Sequence, residues 1–409
     1  MNQSNNVVIA HSGRQHSYYV AKNLQSLGRL KGFYTSAYIS NLSVQNFIIR
    51  NKLNFFSKRF LYDFSGPLIH TYWSLELREL LARFINKNAE EITKCVCRRD
   101  QDFDTYLASK LRSIKYDTFW GYQGSCLKSL MVANSMNRNS IVEMTMPYVP
   151  FSNKILIEES VLHPEWKDSI NIISYPGSYE KRLVEEPVFA KKVVAVSSFL
   201  KKTLTDNGIE ESKISVLPLG FDVSRISFSM VSSPITDRPL KLLFVGRITQ
   251  VKGIKYMLDA MEKLNTNCVE LHFIGSIIGS GKEFLRRKHL YTYHGSMSQR
   301  ELYPIYKDFD VLLLPSLVEG FPLVIIEAMG GGLPIITTNN TSAEELIIEG
   351  ETGYIVPIRD SEAIVLAVQK VLALSSDEFA NMRQKARQKA LNYTWQSHKE
   401  RLKIFLNGL

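Results

Sequence analysis

Residues 319–336 read EGFPLVIIEAMGGGLPII, and two carboxylates eight positions apart flank a Gly-Phe-Pro turn. Reading VLLLPS (311–316) as a buried parallel strand places Glu319 in the loop at its carboxyl end. Pro322 then opens a helix, where its missing N–H costs nothing, and Glu327 falls about one turn inside it. The backbone at Phe321, Pro322 and Leu323 forms a helix N-terminus, which favours anions. Carboxylates beside such a site serve instead as acceptors for hydroxyl donors, as on a sugar. A phosphate-bearing sugar compound satisfies both features. The plain reading makes Glu319 a loop charge and Glu327 a solvated helix residue, and the surrounding turn chemistry weighs against it.

A second set of groups lies upstream. LLFVGRITQVKG puts Gly246 and Arg247 after a strand, Lys252 five residues on and Gly253 at a turn. Arginine offers a planar fork to phosphate oxygens and lysine a compact charge. LHFIGSIIGSG ends another strand at Gly275, whose missing side chain lets a ligand approach closely. Each piece alone is a common turn; their order along one domain carries the inference.

These groups need a scaffold, and the pattern supplies one. Short apolar runs ending in polar or glycine turns recur as VVIAHSG, LKGFYTSAY, DTFWGYQG, NSIVEMT, NIISYPG and KKVVAVSS. They restart as LKLLFVGR, VELHFIG, LYTYHG, DVLLLPS, LPIITT and GYIVP, with helical stretches between. Alternating strands and helices imply βαβ units and parallel sheets. The expectation is two consecutive Rossmann-like domains, at 1–225 and 226–390, with a terminal helix at 391–409. The boundary falls in FDVSRISFSMVSSPITDRP, a polar stretch with Pro234 and Pro239. The length of 409 residues suits two domains.

An insert at about 43–102 breaks the strand-helix rhythm. Within it, Ile49, Leu53, Phe56 and Phe60 recur at helical spacing, Arg50, Lys52, Lys58 and Arg59 lie largely off that stripe, and 43–61 holds no acid. The net charge of +10 is concentrated in the early N-terminal half: the first hundred residues carry 14 Lys+Arg against 6 Asp+Glu. A cationic amphipathic segment at 43–61 fits an anionic membrane surface; the competing reading is a helix packed on the sheet with a solvated basic face. No window approaches a membrane span, and MNQSNNVVIAHSGRQH lacks the pattern of a signal peptide. Cys95, Cys97, Cys126 and Cys268 lack zinc-ligand spacing and read as free thiols in a reducing compartment. The expected location is cytoplasmic, resting on the inner face of the cytoplasmic membrane.

The stretches FVGRITQVKGI, LHFIGS, YHGSMSQRELYPIYKDFDVLLLPSLVEGFPLVIIEAMGGGLPIITT, EGETGYIVP and YTWQSHKERLKIFL together resemble the nucleotide-sugar-binding half of glycosyltransferase family 4. The spacing of Glu319 and Glu327 is its most specific mark, and the likeness runs from about residue 185 to the C-terminus. The resemblance implies the α/β GT-B fold: two Rossmann-like domains facing each other across a cleft, with the C-terminal helix packing back on the first. It implies a retaining sugar transfer from a nucleoside-diphosphate-sugar to a glycan or lipid-linked glycan, of the lipopolysaccharide, O-antigen or capsule type. Arg247 and Lys252 would hold the donor diphosphate, and Glu327 would accept from the ribose hydroxyls. Glu319, with the backbone at Phe321, Pro322 and Leu323, would contact the sugar and phosphate. Gly246 and Gly275 would line the donor, and Tyr293 and Gly295 would meet the base. Gly13 would approach the diphosphate from the other domain. No metal or other cofactor is then required, since cations and helix N-termini offset the leaving charge.

Three departures stand out. The first loop, HSGRQH, has one glycine where the family often has two. SIVEMTMPYVP puts Glu143 or Thr145 where many members have a histidine, and NNTSAEELI replaces a glycine pair. His11, His16 and Glu143 are candidates for positioning the acceptor. The rivals are a nucleotide-sugar epimerase or hydrolase on the same fold, and a non-catalytic partner subunit; the intact Arg247, Lys252 and Glu327 weigh against the latter. A phosphorylase lacks its pyridoxal lysine context, and a nicotinamide dehydrogenase lacks GxGxxG after the first strand. Nucleic acid is not an expected partner.

Overall fold

The short apolar runs become two all-parallel sheets in a computed structural model that describes residues 5–13, 16–51, 56, 59–61, 63–85, 89–170, 175–228 and 238–409. The first sheet holds β1 (Val7–His11), β2 (Leu30–Thr35), β3 (Ile69–Thr71), β4 (Thr118–Tyr122), β5 (Asn139–Met144), β6 (Lys192–Ala195) and β7 (Ile214–Val216). Its order is β3-β2-β1-β4-β5-β6-β7. The second holds β8 (Leu240–Val245), β9 (Val269–Ile274), β10 (Thr292–Tyr293), β11 (Val311–Leu314), β12 (Ile335–Thr338) and β13 (Gly353–Val356), in the order β10-β9-β8-β11-β12-β13. In each sheet the chain moves outward from its first strand and then returns to that strand's other side. The switch points are therefore β1/β4 and β8/β11, where open α/β sheets hold their ligands. Strands β1, β4, β11 and β12 are buried throughout, as parallel strands covered on both faces must be.

The helices of the first half are α1 (Ser17–Ser26), α2 (Leu42–Arg50), α3 (Trp73–Ile85), α4 (Ala89–Leu111), α5 (Leu127–Ser135), α6 (Val149–Leu162), α7 (Gly177–Phe189) and α8 (Ser198–Thr205). Those of the second are α9 (Ile254–Leu264), α10 (Lys282–Arg286), α11 (Gln299–Ile305), α12 (Leu323–Gly330), α13 (Ala343–Leu346), α14 (Ser361–Leu372), α15 (Ser376–Leu391) and α16 (Trp395–Asn407). The last of these crosses back. Leu402 and Leu406 bury in one cluster with Val7, Ile9 and Trp120, and the Trp395 ring stacks on Tyr19 at 4.2 Å. The chain meets itself at this crossing: Phe221 N–H donates to Tyr393 O at 2.7 Å, and a Cβ on Gly220 would lie 2.7 Å from the Trp395 backbone. None of the four cysteines is in a disulfide.

Some details differ from the sequence reading. Strands β3 and β7 have too few residues to announce themselves. NIISYPG was expected as a strand; residues 171–174 lie outside the described residues, Pro176 caps α7 and Gly177 begins it. Residues 229–237 of the boundary segment also lie outside. The largest correction concerns 43–61. The Asn41 side chain accepts from Val44 N–H to open α2, which ends at Arg50 and so carries Ile49 but not Phe56 or Phe60. Leu53, Lys52 and Lys58 lie outside the described residues. Phe60 is buried in the cluster of Phe33 and Phe64, and Arg59 is paired with the buried Glu76. A carboxylate inside the domain takes up the cation expected at the surface.

Candidate active site

The second sheet presents four of its strand ends at one edge. After β8, Gly246 turns the chain at φ +150° and Arg247 follows, exposed and without a hydrogen bond or ion pair among the described residues. A short 3₁₀ turn, Gln250–Lys252, ends at Gly253 with φ +71°. A Cβ on Gly253 would sit 2.1 Å from Pro315 O, so only glycine lets the loops after β8 and β11 meet. Val251 O accepts from Leu317 N–H at 2.9 Å, stitching those loops across the switch point.

There Lys252 and Glu319 form an ion pair, and the second Glu319 oxygen accepts from the Ser316 hydroxyl at 3.0 Å. Immediately beyond, Phe321 is buried, and Pro322 opens α12 with no side chain capping it. Among the described residues the amides of Leu323 and Val324 are left for an outside acceptor, while Ile325 N–H donates to Pro322 O at 3.0 Å. Glu327 lies one turn in, almost fully buried, and accepts from the phenols of Tyr303 at 3.1 Å and Tyr306 at 3.2 Å. Burial pushes its carboxyl above the usual range, and the two phenols and Arg225 partly oppose that. The Arg225 guanidinium lies 5.0 Å over the Tyr303 ring.

Gly275 owes its identity to packing. At φ +147°, a Cβ on it would fall 1.7 Å from Gly246 O, so it serves the approach of two loops; the sequence reading had given that space to a ligand. Its N–H donates to Gly295 O at 2.8 Å, and the half-exposed Tyr293 donates to Gly275 O at 2.9 Å. The residues expected around a donor thus share one rim.

The first sheet builds its edge differently. Gly13 N–H donates to His11 Nδ1 at 2.6 Å, which fixes that nitrogen as the acceptor, and the Ser12 hydroxyl donates to Asp100 at 2.6 Å. Asp100 also accepts from the Tyr179 hydroxyl at 2.7 Å and from Arg99, whose other arm pairs with Glu79. A Cβ on Gly13 would lie 3.3 Å from that guanidinium. His16 pairs with Glu143, whose second oxygen accepts from Trp120 Nε1 at 2.9 Å. Burial alone would raise the Glu143 carboxyl; His16, His398 and Trp120 together outweigh it and hold the group below its usual range. The Tyr122 ring lies between the two histidines, 4.8 Å from His11 and 5.3 Å from His16. Trp120, Tyr122, Arg99, Asp100 and His398 escaped the sequence reading. Trp120 and Tyr122 share one face of a strand it did find; the others come from distant helices.

The two edges touch. A Cβ on Gly320 would sit 2.2 Å from Thr145 O, and the Ser197 hydroxyl donates to Gly320 O at 2.6 Å. The loop carrying Glu319 therefore abuts the strand end carrying Glu143.

Comparison with known proteins follows the same division. Residues 226–390 match the family described as glycosyl transferases group 1. The capsular polysaccharide biosynthesis glycosyltransferase CapM of Staphylococcus aureus is 32% identical over 203 residues, covering 45% of this chain and 52% of that one. The UDP-Gal:alpha-D-GlcNAc-diphosphoundecaprenol alpha-1,3-galactosyltransferase of Escherichia coli is 26% identical over 200 residues, covering 45% and 51%. The chain thus spans about half the length of the curated relatives it matches. The fold is matched end to end by the crystal structure of Anabaena HepE in complex with UDP: TM-score 0.63, 14% identity, 99% of this chain and 100% of that one. The chain accordingly has the GT-B fold and carries a glycosyl transferases group 1 domain at residues 226–390.

Proposed function

We propose that this protein is a retaining glycosyltransferase, moving a sugar from a nucleoside-diphosphate-sugar to a glycan or lipid-linked glycan of a cell-surface polysaccharide. The observation that carries the reading is the Lys252–Glu319 pair at the β8/β11 switch point, beside the N-terminus of α12 and Arg247, which is unpaired among the described residues. An arriving diphosphate takes Lys252 and the α12 amides and releases Glu319 to accept from a sugar hydroxyl. The bond from the anomeric carbon to the diphosphate oxygen then breaks, and its electron pair goes to that oxygen. Arg247, Lys252 and the helix N-terminus stabilise the charge that develops there. The acceptor hydroxyl bonds to the same face of the sugar, and its proton passes to the departing phosphate oxygen. No metal enters this scheme. His11, His16 and Glu143 line the side from which the acceptor comes. HepE was solved with UDP and the Escherichia coli relative is named for UDP-Gal, so uridine nucleotides are the first donors to try.

The test is a thermal-shift panel of UDP, GDP, ADP, dTDP and their sugars, followed by a transfer assay. Ligand at about 100 Kd adds roughly 2.7 kcal/mol to stability. Sugar transfer only with acceptor present supports the reading. Release or isomerisation of the donor sugar without acceptor points to the epimerase or hydrolase, and absence of nucleotide binding overturns it.

The first domain also rests, on this reading, against an anionic membrane surface. Helix α3 supports it by its inverted arrangement: Glu76 and Glu79 are buried, while Leu77, Leu81, Phe84 and Ile85 form an exposed stripe, with Phe84 87% exposed. The exposed charges on that helix are Arg78, which pairs with Asp102, and Arg83, which pairs with Glu79, and α2 adds exposed Leu42, Val44, Phe47 and Ile49 next to Arg50. An apolar face flanked by cations fits the bilayer interface. No helix among the described residues is long and apolar enough to cross a membrane.

A further inference from the structure

The connection from β5 to β6 contains α6, a 3₁₀ turn (Pro164–Ser169) and α7. Its first part leaves the first domain and lies along the rim of the second. Glu159 is fully buried on α6, and among the described residues the donors to its carboxylate come from the second domain. Gln250 Nε2 reaches it at 2.7 Å, the Tyr256 hydroxyl at 2.9 Å and Arg359 Nε at 2.7 Å. Arg359 adds bonds to Glu158 at 3.1 Å and to Ile155 O at 2.8 Å. Further along, Ser169 Oγ accepts from Gln250 N–H at 3.0 Å and Ser169 O from the Thr249 hydroxyl, while Asp168 accepts from Ser280 N–H at 2.8 Å.

Two of these bonds converge on Gln250, a fully buried residue two places before Lys252. Its carboxamide is used at both ends: the nitrogen donates to Glu159, and the oxygen accepts from Lys255 N–H at 2.9 Å, at the start of α9. The turn Gln250–Lys252 is thus fixed on one side by its own helix and on the other by a carboxylate of the opposite domain. The match to glycosyl transferases group 1 begins at residue 226 and so omits this support.

We propose that Glu159 is a positioning residue for the phosphate-binding loop, holding Lys252 in place through Gln250, so that this loop is complete only while the two domains are docked. The proposal rests on the nucleotide-sugar reading above. It makes diphosphate binding and domain docking mutually supportive, since each favours the same arrangement of one turn.

The measured quantity is the ratio of affinities for a nucleoside diphosphate and its monophosphate, by calorimetry on the full chain, using whichever of UDP, GDP, ADP and dTDP the wild-type protein binds. Glu159→Ala is expected to weaken the diphosphate about tenfold and to leave the monophosphate within about twofold. Glu159→Gln, which keeps the volume and so guards against misfolding, is expected to lower the ratio about threefold, because its amide sets N–H groups against the donors of Gln250 and Tyr256. Ser169→Ala, which removes the acceptor of Gln250 N–H, is expected to act in the same direction. Asp168→Ala separates positioning from general interdomain cohesion: it removes the acceptor of Ser280 N–H, which contacts neither Glu159 nor Gln250, and is expected to lower the melting temperature and leave the ratio unchanged. If folded Glu159→Gln and Ser169→Ala proteins both keep the wild-type ratio, Glu159 is interdomain cohesion only and the proposal is overturned. A wild-type protein that binds none of the four diphosphates removes the nucleotide-sugar reading instead, and this inference with it.

Discussion

The two domains share a topology and build their edges from different materials. The second domain shapes its edge with backbone: Gly246, Gly253, Gly275 and Gly295 all stand at positive φ, and a Cβ on Gly253 or Gly275 would collide with a neighbouring carbonyl. The first shapes its edge with buried charge. Asp100 with Arg99, Asp104 with Arg182, and Glu143 with His16 are each held inside the protein. Glu186 accepts from Gly124 and Cys126 N–H and so pins the loop after β4. A backbone-built edge leaves its few charged side chains, Arg247 above all, available to a ligand. A charge-built edge has spent most of its charges on itself. Substitution should therefore damage ligand handling in the second domain and stability in the first.

The sharpest break of that comparison is at the phosphate cations. Arg247→Ala and Lys252→Ala are each expected to lower kcat/KM by about 10²–10³, the effect of removing one preorganised charge from a developing anion, with melting temperature near wild type. Steady-state kinetics on the donor sugar checks it, and near-normal kcat/KM in either variant places the phosphates elsewhere.

A smaller effect divides the two glutamates. In Glu319→Ala, Lys252 loses its competing carboxylate, so bare nucleoside diphosphate is expected to bind as well as before or better while turnover falls. In Glu327→Ala, affinity for the bare nucleotide is expected to fall along with donor affinity. Calorimetry with the nucleoside diphosphate alone separates them; equal loss in both variants contradicts the assignment of sugar to one and ribose to the other.

The same difference explains what could be read in advance. All six strands of the second sheet follow from short apolar runs with glycine or polar ends, because a glycine demanded by φ or by contact marks its own position. Glu319 and Glu327 were legible for the same reason: special backbone surrounds them. Asp100 could not be read. Its partners Ser12 and Tyr179 lie 88 and 79 residues away, and nothing local to RRDQD marks an internal carboxylate. Arg59 shows the converse error. A basic residue beside an apolar stripe reads as surface until the fold brings Glu76 to it. Helix α3 was missed because amphipathic patterns give two faces and do not say which is inside.

The membrane reading sharpens the comparison on the first domain's outer face. Liposome flotation with anionic vesicles at low salt is expected to recover the wild-type protein, with recovery falling as salt is raised toward a Debye length of about 3 Å. Leu81→Glu with Phe84→Glu is expected to abolish flotation and leave the melting temperature unchanged, since both side chains are exposed. Failure of the wild-type protein to float on anionic vesicles removes the membrane from the proposal and turns the search to soluble acceptors.

The smallest effect is a pH dependence confined to the first domain and the helix that crosses to it. His398, on α16, lies buried near Glu143 and His16, with Asn23 Nδ2 3.2 Å from its Nδ1. Burial drops its pKa to about 4, and the His16 and Arg401 charges act in the same direction against the pull of Glu143. In the unfolded chain the ring takes its proton near 6.5. Between those values the unfolded state binds more protons, so the His398 contribution to stability grows as pH rises from about 4 to 6.5, totalling ~3 kcal/mol. Glu186 works the other way: burial lifts it to about 7, so the native state holds a proton that the unfolded state releases above about 4.5. The wild-type curve is flattened by this opposition, and the sign must be read from a difference. Urea unfolding from pH 4.5 to 7.5 is expected to show His398→Gln losing less stability on acidification than wild type, with Glu186→Gln losing more. Arg247→Ala, on the backbone-built edge, should follow the wild-type curve throughout. A His398→Gln curve parallel to wild type would mean that the ring titrates alike in the folded and unfolded protein, so that burial does not depress it.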